Sequence, residues 1–192
     1  MNDAAARGGE LPRRDRRAMS RIKPILPEAA NGEVAAVYEE LKKSKWRVPK
    51  MYQVLAHHLP ILKCHEAYFD AVMNRGLLDR KLKEKVAYKV AQLNDCAYST
   101  ASHRRYAVKC GASEEEMRSI DEMQTSAMLS GEAAALRLAV AMNESGRKVS
   151  NEIFEELAAH YSPGEIVELL AVVGLMAFAS RLADALKLEA ET

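Results

Sequence analysis

The stretch that decides the fold is DRKLKEKVAYKVAQLNDCAYSTASH, residues 79–103. Its first part repeats apolar residues at three- and four-residue spacing, the pattern of a stripe along one side of a helix. The stripe consists of Leu82, Val86, Val90 and Leu93. We expect it to face the core. A turn at residues 94–95 then leads into a second helix, from about Cys96 to Cys110, so the stretch predicts two helices folded into a hairpin.

The rest of the chain carries the same kind of signal. Ala, Leu, Glu, Lys and Met dominate, and apolar residues rarely alternate with polar ones, so helix is favoured nearly everywhere. Gly111 is placed to end one helix in the left-handed conformation. Ser113 with Glu116, and Ser162 with Glu165, predict capping boxes at the starts of two others. We predict a single-domain, all-α bundle of about seven to eight helices.

The amino-acid composition indicates the broad class of protein. The 192 residues are 48% apolar and 29% charged, which suits one soluble domain over residues 25–192 after a basic tail, residues 1–24, that we expect to be disordered. Lys and Arg total 28 against 27 Asp and Glu, a net charge of +1, which disfavours nucleic acid and anionic membranes as partners. The longest apolar stretch, Leu169–Ala179, is too short to span a bilayer, so no membrane role is predicted.

Three cysteines, an odd number, favour a reducing cytoplasm and free thiols over a disulfide scaffold. We expect Cys64 to be buried and inert. Cys110 lies about 21 Å along the predicted helix from Cys96, too far for a disulfide within one subunit. Four of the histidines lack a partner at ligand spacing, so neither a metal nor a cofactor is predicted. These are His57, His58, His65 and His160.

Three polar residues share one face of the second helix of the hairpin: Cys96, Ser99 and His103. If Asn94 or Asp95 caps this helix, Cys96 lies in its first turn, where unpaired N–H groups favour a thiolate.

Glu84, on the first helix, has two interpretations. It lies opposite the apolar stripe and is then an exposed carboxylate. Alternatively, in an antiparallel hairpin Glu84 lies about 15 Å before the turn and His103 about 12 Å beyond it, at ~1.5 Å per residue, so the two side chains meet.

The spacing of Glu84, Cys96, Ser99 and His103 resembles a known signature. E-x11-C-x-x-C-x-x-x-H is typical of the alkylhydroperoxidase D-like branch of the carboxymuconolactone decarboxylase family, and this chain departs from it only by having Ser99 in place of the second cysteine. The flanking segments, including VPKMYQVLAHHLPIL, extend the resemblance over about residues 25–189.

The resemblance implies an all-α protein that assembles as a homotrimer or homohexamer. It also implies peroxide reduction through the cysteine pair, with Glu84 and His103 relaying protons. In such a cycle the second cysteine attacks the peroxide and the first closes the disulfide. That attacking position is Ser99 here, and a serine hydroxyl forms no sulfenic acid. The two-cysteine cycle cannot run unchanged.

Three hypotheses follow. The one we rank first is a peroxidase-like antioxidant enzyme that uses Cys96 alone and an external thiol or dithiol reductant. The second is acid–base catalysis on a small organic acid by Glu84 and His103, as in the lactone decarboxylase branch. The third is a non-catalytic relative that retains the helical oligomer, and its motivation is the change at Ser99.

Overall fold

The computed structural model describes residues 20–45 and 47–191, so most of the predicted tail, residues 1–19, lies outside it. The described residues form an all-α fold of nine helices, where about seven to eight were predicted; α2 has only six residues. The helices are α1 (Gly32–Lys45), α2 (Lys50–Leu55), α3 (Leu59–Phe69), α4 (Arg80–Leu93), α5 (Ala97–Lys109), α6 (Glu114–Asp121), α7 (Ser130–Glu144), α8 (Asn151–Ala158) and α9 (Pro163–Leu186). A π-helical segment, Asp70–Asn74, continues α3.

The helix ends follow the local sequence. Both predicted capping boxes are present, Ser113 with Glu116 at the start of α6 and Ser162 with Glu165 at the start of α9. Gly111 follows α5 at φ +93°, a conformation that glycine adopts at little cost. The end of α5 and the starts of α6 and α9 therefore follow from a few short-range signals.

The α4–α5 hairpin forms as predicted, and α4 lies at the centre of the fold, packed against α5, α7 and α9. Val86 and Val90 of the apolar stripe are fully buried. Leu93 is 40% exposed, so its predicted place in the core is wrong. It is the last residue of α4, where the chain turns away toward α5.

Two lysines of α4 that lie outside the apolar stripe are also buried. The ammonium group of Lys85 contacts Glu116 of α6 at 2.6 Å and Glu132 of α7 at 2.9 Å. The ammonium group of Lys83 contacts Glu168 of α9 at 2.7 Å. A buried charge is tolerated when it is paired and hydrogen-bonded, and here the partners come from three other helices.

α9 is, within the part of the chain that the structure describes, the one helix with the length and composition to cross a membrane. It has 24 residues, so it is longer than the apolar stretch Leu169–Ala179, which by itself was expected to be too short to span a bilayer. Half of its most apolar window is buried inside the fold, and the core helix of a soluble protein has the same properties. Val167 and Phe178 remain exposed, so its packing is one-sided.

Candidate active site

The carboxylate of Glu84 and the imidazole of His103 are in contact across the hairpin. His103 Nδ1 lies 2.7 Å from Glu84 Oε2, and both side chains are buried. Of the two interpretations of Glu84, the hairpin geometry is confirmed and the exposed carboxylate is wrong.

The second carboxylate oxygen of Glu84 is held by Arg80, one helical turn earlier on α4. Arg80 Nε and Nη2 donate to Glu84 Oε1 at 2.7 and 2.5 Å. Arg80 Nη1 donates to the carbonyl of Met73 at 2.9 Å and also to the side chain of Asn74, in the π-helical segment. Arg80 was not predicted from the sequence, although its spacing of four residues from Glu84 is typical of an ion pair on one helix face.

These contacts determine the charge of Glu84 and the tautomer of His103. Burial alone raises the pKa of the Glu84 carboxyl, but the interactions with His103 and Arg80 outweigh it and hold this pKa below its usual value. Glu84 is therefore a carboxylate at neutral pH and accepts hydrogen bonds only. The proton in the contact is carried by Nδ1, which leaves Nε2 of a neutral His103 as a base.

His103 faces a cavity of about 140 Å³. Its wall includes Ser99 and Ser102 of α5 and Arg80 of α4, and it is closed on other sides by aromatic and apolar side chains such as Tyr52 and Met176. No described residue hydrogen-bonds to Nε2 of His103. The free nitrogen of the relay is thus available to a small molecule in this cavity.

Cys96 does not line that cavity. It is fully buried in an apolar cluster that includes Leu41, Leu62 and Ala183. It occupies the N-cap position of α5 rather than the first turn, and no side chain caps this helix. Burial raises the pKa of the thiol, with a smaller opposing effect from the Ser99 hydroxyl. The predicted thiolate at a helix start is therefore wrong, because burial among apolar side chains disfavours the charged form.

Ser99 lies between the thiol and the cavity. Its Oγ is 3.5 Å from Cys96 Sγ, and its side chain belongs to the cavity wall together with His103, one turn further along α5. The structure thus places the hydroxyl of Ser99, rather than the thiol, beside the relay.

The other two cysteines are exposed, which corrects the expectation of a buried Cys64. Cys64 lies on the outer side of α3, and Cys110 follows α5. No described group of three or more His, Cys, Asp and Glu side chains has an arrangement that holds a metal ion.

The burial of Cys96 leads to a direct prediction. With an excess of a thiol reagent under native conditions, we expect Cys96 to react at least ~10-fold more slowly than Cys64 and Cys110, since it reacts only when the fold opens. Mass spectrometry of the alkylated peptides measures each rate, and labelling in denaturant serves as the control. Labelling of native Cys96 as fast as that of Cys110 would contradict the burial described here.

Residues 62–142, from α3 into α7, match the model of the carboxymuconolactone decarboxylase family. This region contains all four signature positions. The match confirms the predicted resemblance to this family over these residues, which are less than half of the chain. Among curated proteins, none matches the chain significantly.

Solved structures share the fold along nearly the whole chain. A peroxidase-related protein from Silicibacter sp. TM1040 has 16% identity and a TM-score of 0.77, over 91% of this chain and 96% of that one. An alkylhydroperoxidase AhpD core protein from Ralstonia eutropha JMP134 has 18% identity and a TM-score of 0.78, over 90% and 92%. The debrominase Bmp8, solved with 2,3,4-tribromopyrrole, has 18% identity and a TM-score of 0.78, over 91% and 94%. At these identities the likeness shows the fold alone.

Proposed function

We propose that this protein is an acid–base enzyme in which His103, oriented by Glu84, moves a proton to and from a small organic acid bound in the cavity. The observation that carries the proposal is the buried Nδ1–Oε2 contact of 2.7 Å on a histidine whose side chain forms part of the cavity wall. A carboxylate behind the imidazole fixes its tautomer and orients the ring. Arg80 keeps that carboxylate ionised and in place.

Ser99 extends the relay. Its hydroxyl lies one helical turn from His103 on the same wall, where it can hydrogen-bond to a bound substrate or pass a proton through a water molecule. In the family signature this position is the attacking cysteine, so a serine here removes the two-cysteine cycle while leaving the proton relay in place.

The experiment compares the turnover of carboxymuconolactone by variants at Cys96 and at His103. Carboxymuconolactone is supplied to the protein, and loss of CO2 with protonation of the remaining carbanion is followed in time. We expect turnover by the wild-type protein, turnover within about threefold of it for Cys96→Ala, and loss of turnover for His103→Gln. Absence of wild-type turnover, or equal turnover by His103→Gln, would overturn the proposal.

The second candidate is the peroxidase that we ranked first from sequence. The peroxidase-related descriptions of two structural relatives favour it. The Cys96 thiolate would attack one peroxide oxygen and break the O–O bond, giving a sulfenic acid and an alcohol or water, and an external thiol would reduce the sulfenic acid. The burial of Cys96 opposes it. Trapping of a sulfenic acid on Cys96, with turnover dependent on peroxide, would establish this candidate.

A further inference from the structure

A glutamate from a distant part of the chain reaches the cavity wall. α9 ends at Leu186, and Lys187 adopts the left-handed conformation at φ +54°, which turns the chain back across the fold. Leu188 is buried in the apolar cluster around Cys96, and Glu191 reaches the wall of the cavity that contains His103. The carboxylate of Glu191 is only 12% exposed.

Glu191 makes the contacts of a bound carboxylate ligand. Its Oε1 accepts hydrogen bonds from the hydroxyl of Tyr98 at 2.6 Å and from the backbone N–H of Lys50 at 2.8 Å. Its Oε2 lies 3.3 Å from Nη2 of Arg47. Arg105 donates to the backbone carbonyl of the same residue at 2.9 Å. Donors from α2, α5 and the loop before α2 thus converge on one anionic group.

The charged side chains that line the cavity also favour an anionic ligand. Arg47, Arg80 and Arg105 line it, and Arg80 is already engaged by Glu84. Glu191 is the acidic side chain among the described lining residues. If the Glu191 carboxylate left this position, a ligand carboxylate could accept the hydrogen bond that Tyr98 donates to it.

From these contacts we infer that Arg47, Tyr98, Arg105 and the Lys50 N–H form a carboxylate-binding subsite beside the relay, and that Glu191 occupies it as a tethered competitor. The ligand class is an organic carboxylate small enough for the cavity. A ligand carboxylate must displace Glu191 before it can occupy this position, so the segment 187–191 lowers the affinity for such ligands. The inference deepens the proposed function, because it says how an organic acid would be held next to His103.

The test uses the full chain with benzoate as the probe and benzamide as its neutral counterpart. Wild type, Glu191→Gln and Glu189→Gln are titrated by calorimetry. Glu189→Gln is the matched control, because it removes the same charge from the same segment while Glu189 is half exposed and only loosely paired with Lys50 at 3.5 Å. Binding is measured without turnover, so its result is separate from that of the decarboxylation assay.

We expect Glu191→Gln to bind benzoate at least about tenfold more tightly than wild type or Glu189→Gln, since its competing charge is gone. The gain is expected to be absent for benzamide, and to be lost again when Tyr98→Phe is added. The amide resonance of Lys50 should shift on addition of benzoate. Equal benzoate affinity in the two glutamine variants, an equal gain for benzamide, or no benzoate binding by any variant would overturn the inference.

Discussion

Replacing His103 by alanine is expected to lower kcat for a substrate of the cavity by about 10²–10⁴, the usual contribution of a general acid or base. The His103 imidazole is the basic group of the relay in the cavity wall, so its loss leaves Glu84 and Arg80 paired with each other but removes the base that faces the substrate. Steady-state assays with carboxymuconolactone measure the effect.

Two controls accompany His103→Ala. His160→Ala removes an exposed imidazole far from the cavity and is expected to leave kcat unchanged. Added imidazole is expected to restore part of the turnover of His103→Ala, because it supplies the missing base within the space that the side chain vacates. A variant that keeps full turnover would remove His103 from the mechanism.

Replacing Glu168 by alanine is expected to lower the free energy of unfolding by about 3–5 kcal/mol, the typical cost of leaving a buried charge without its partner. Glu168 contacts the ammonium group of Lys83 at 2.7 Å and accepts the backbone N–H groups of Leu77 and Leu78 at 2.5 and 3.1 Å. The carboxylate also packs onto Gly76, where an added Cβ would lie 1.7 Å from Oε1. Denaturant unfolding measures the loss.

Glu168→Gln separates the loss of the charge from the loss of the hydrogen-bond acceptor, and Glu155→Ala is the control on an exposed site. The glutamine retains an acceptor for the two N–H groups but removes the charge, so we expect a loss intermediate between wild type and Glu168→Ala. Glu155 is exposed on α8, and its replacement by alanine is expected to change stability by at most about 0.5 kcal/mol. If Glu168→Ala costs less than about 1 kcal/mol, the buried pair does not stabilise the fold as argued.

Much of the fold was predictable because its signals are short-range. The capping boxes at Ser113 and Ser162 and the glycine at residue 111 each involve residues at most three positions apart, and each appears in the structure where it was expected. The contact of Glu84 with His103 was predictable for a related reason. A hairpin with a short turn leaves only one register, so two spacings along the chain determine which side chains meet.

The remaining features depend on contacts that a local pattern does not contain. Cys96 was predicted to be a thiolate from its place on α5, but it is buried by residues of α1, α3 and α9. Lys83 and Lys85 are buried on α4, and their partners come from other helices. Glu191 lies 93 residues from Tyr98 in the chain, so no spacing rule connects them.

Glu84 Oε2 accepts the Nδ1–H of His103, which leaves Nε2, the base, facing the cavity. Long-range ¹H–¹⁵N correlation spectra of the neutral protein, with His103 assigned by comparison with His103→Gln, report the tautomer directly. We predict a protonated Nδ1 and an unprotonated Nε2, with this preference weakened in Glu84→Gln. A neutral His103 protonated on Nε2 in the wild-type protein would contradict the account.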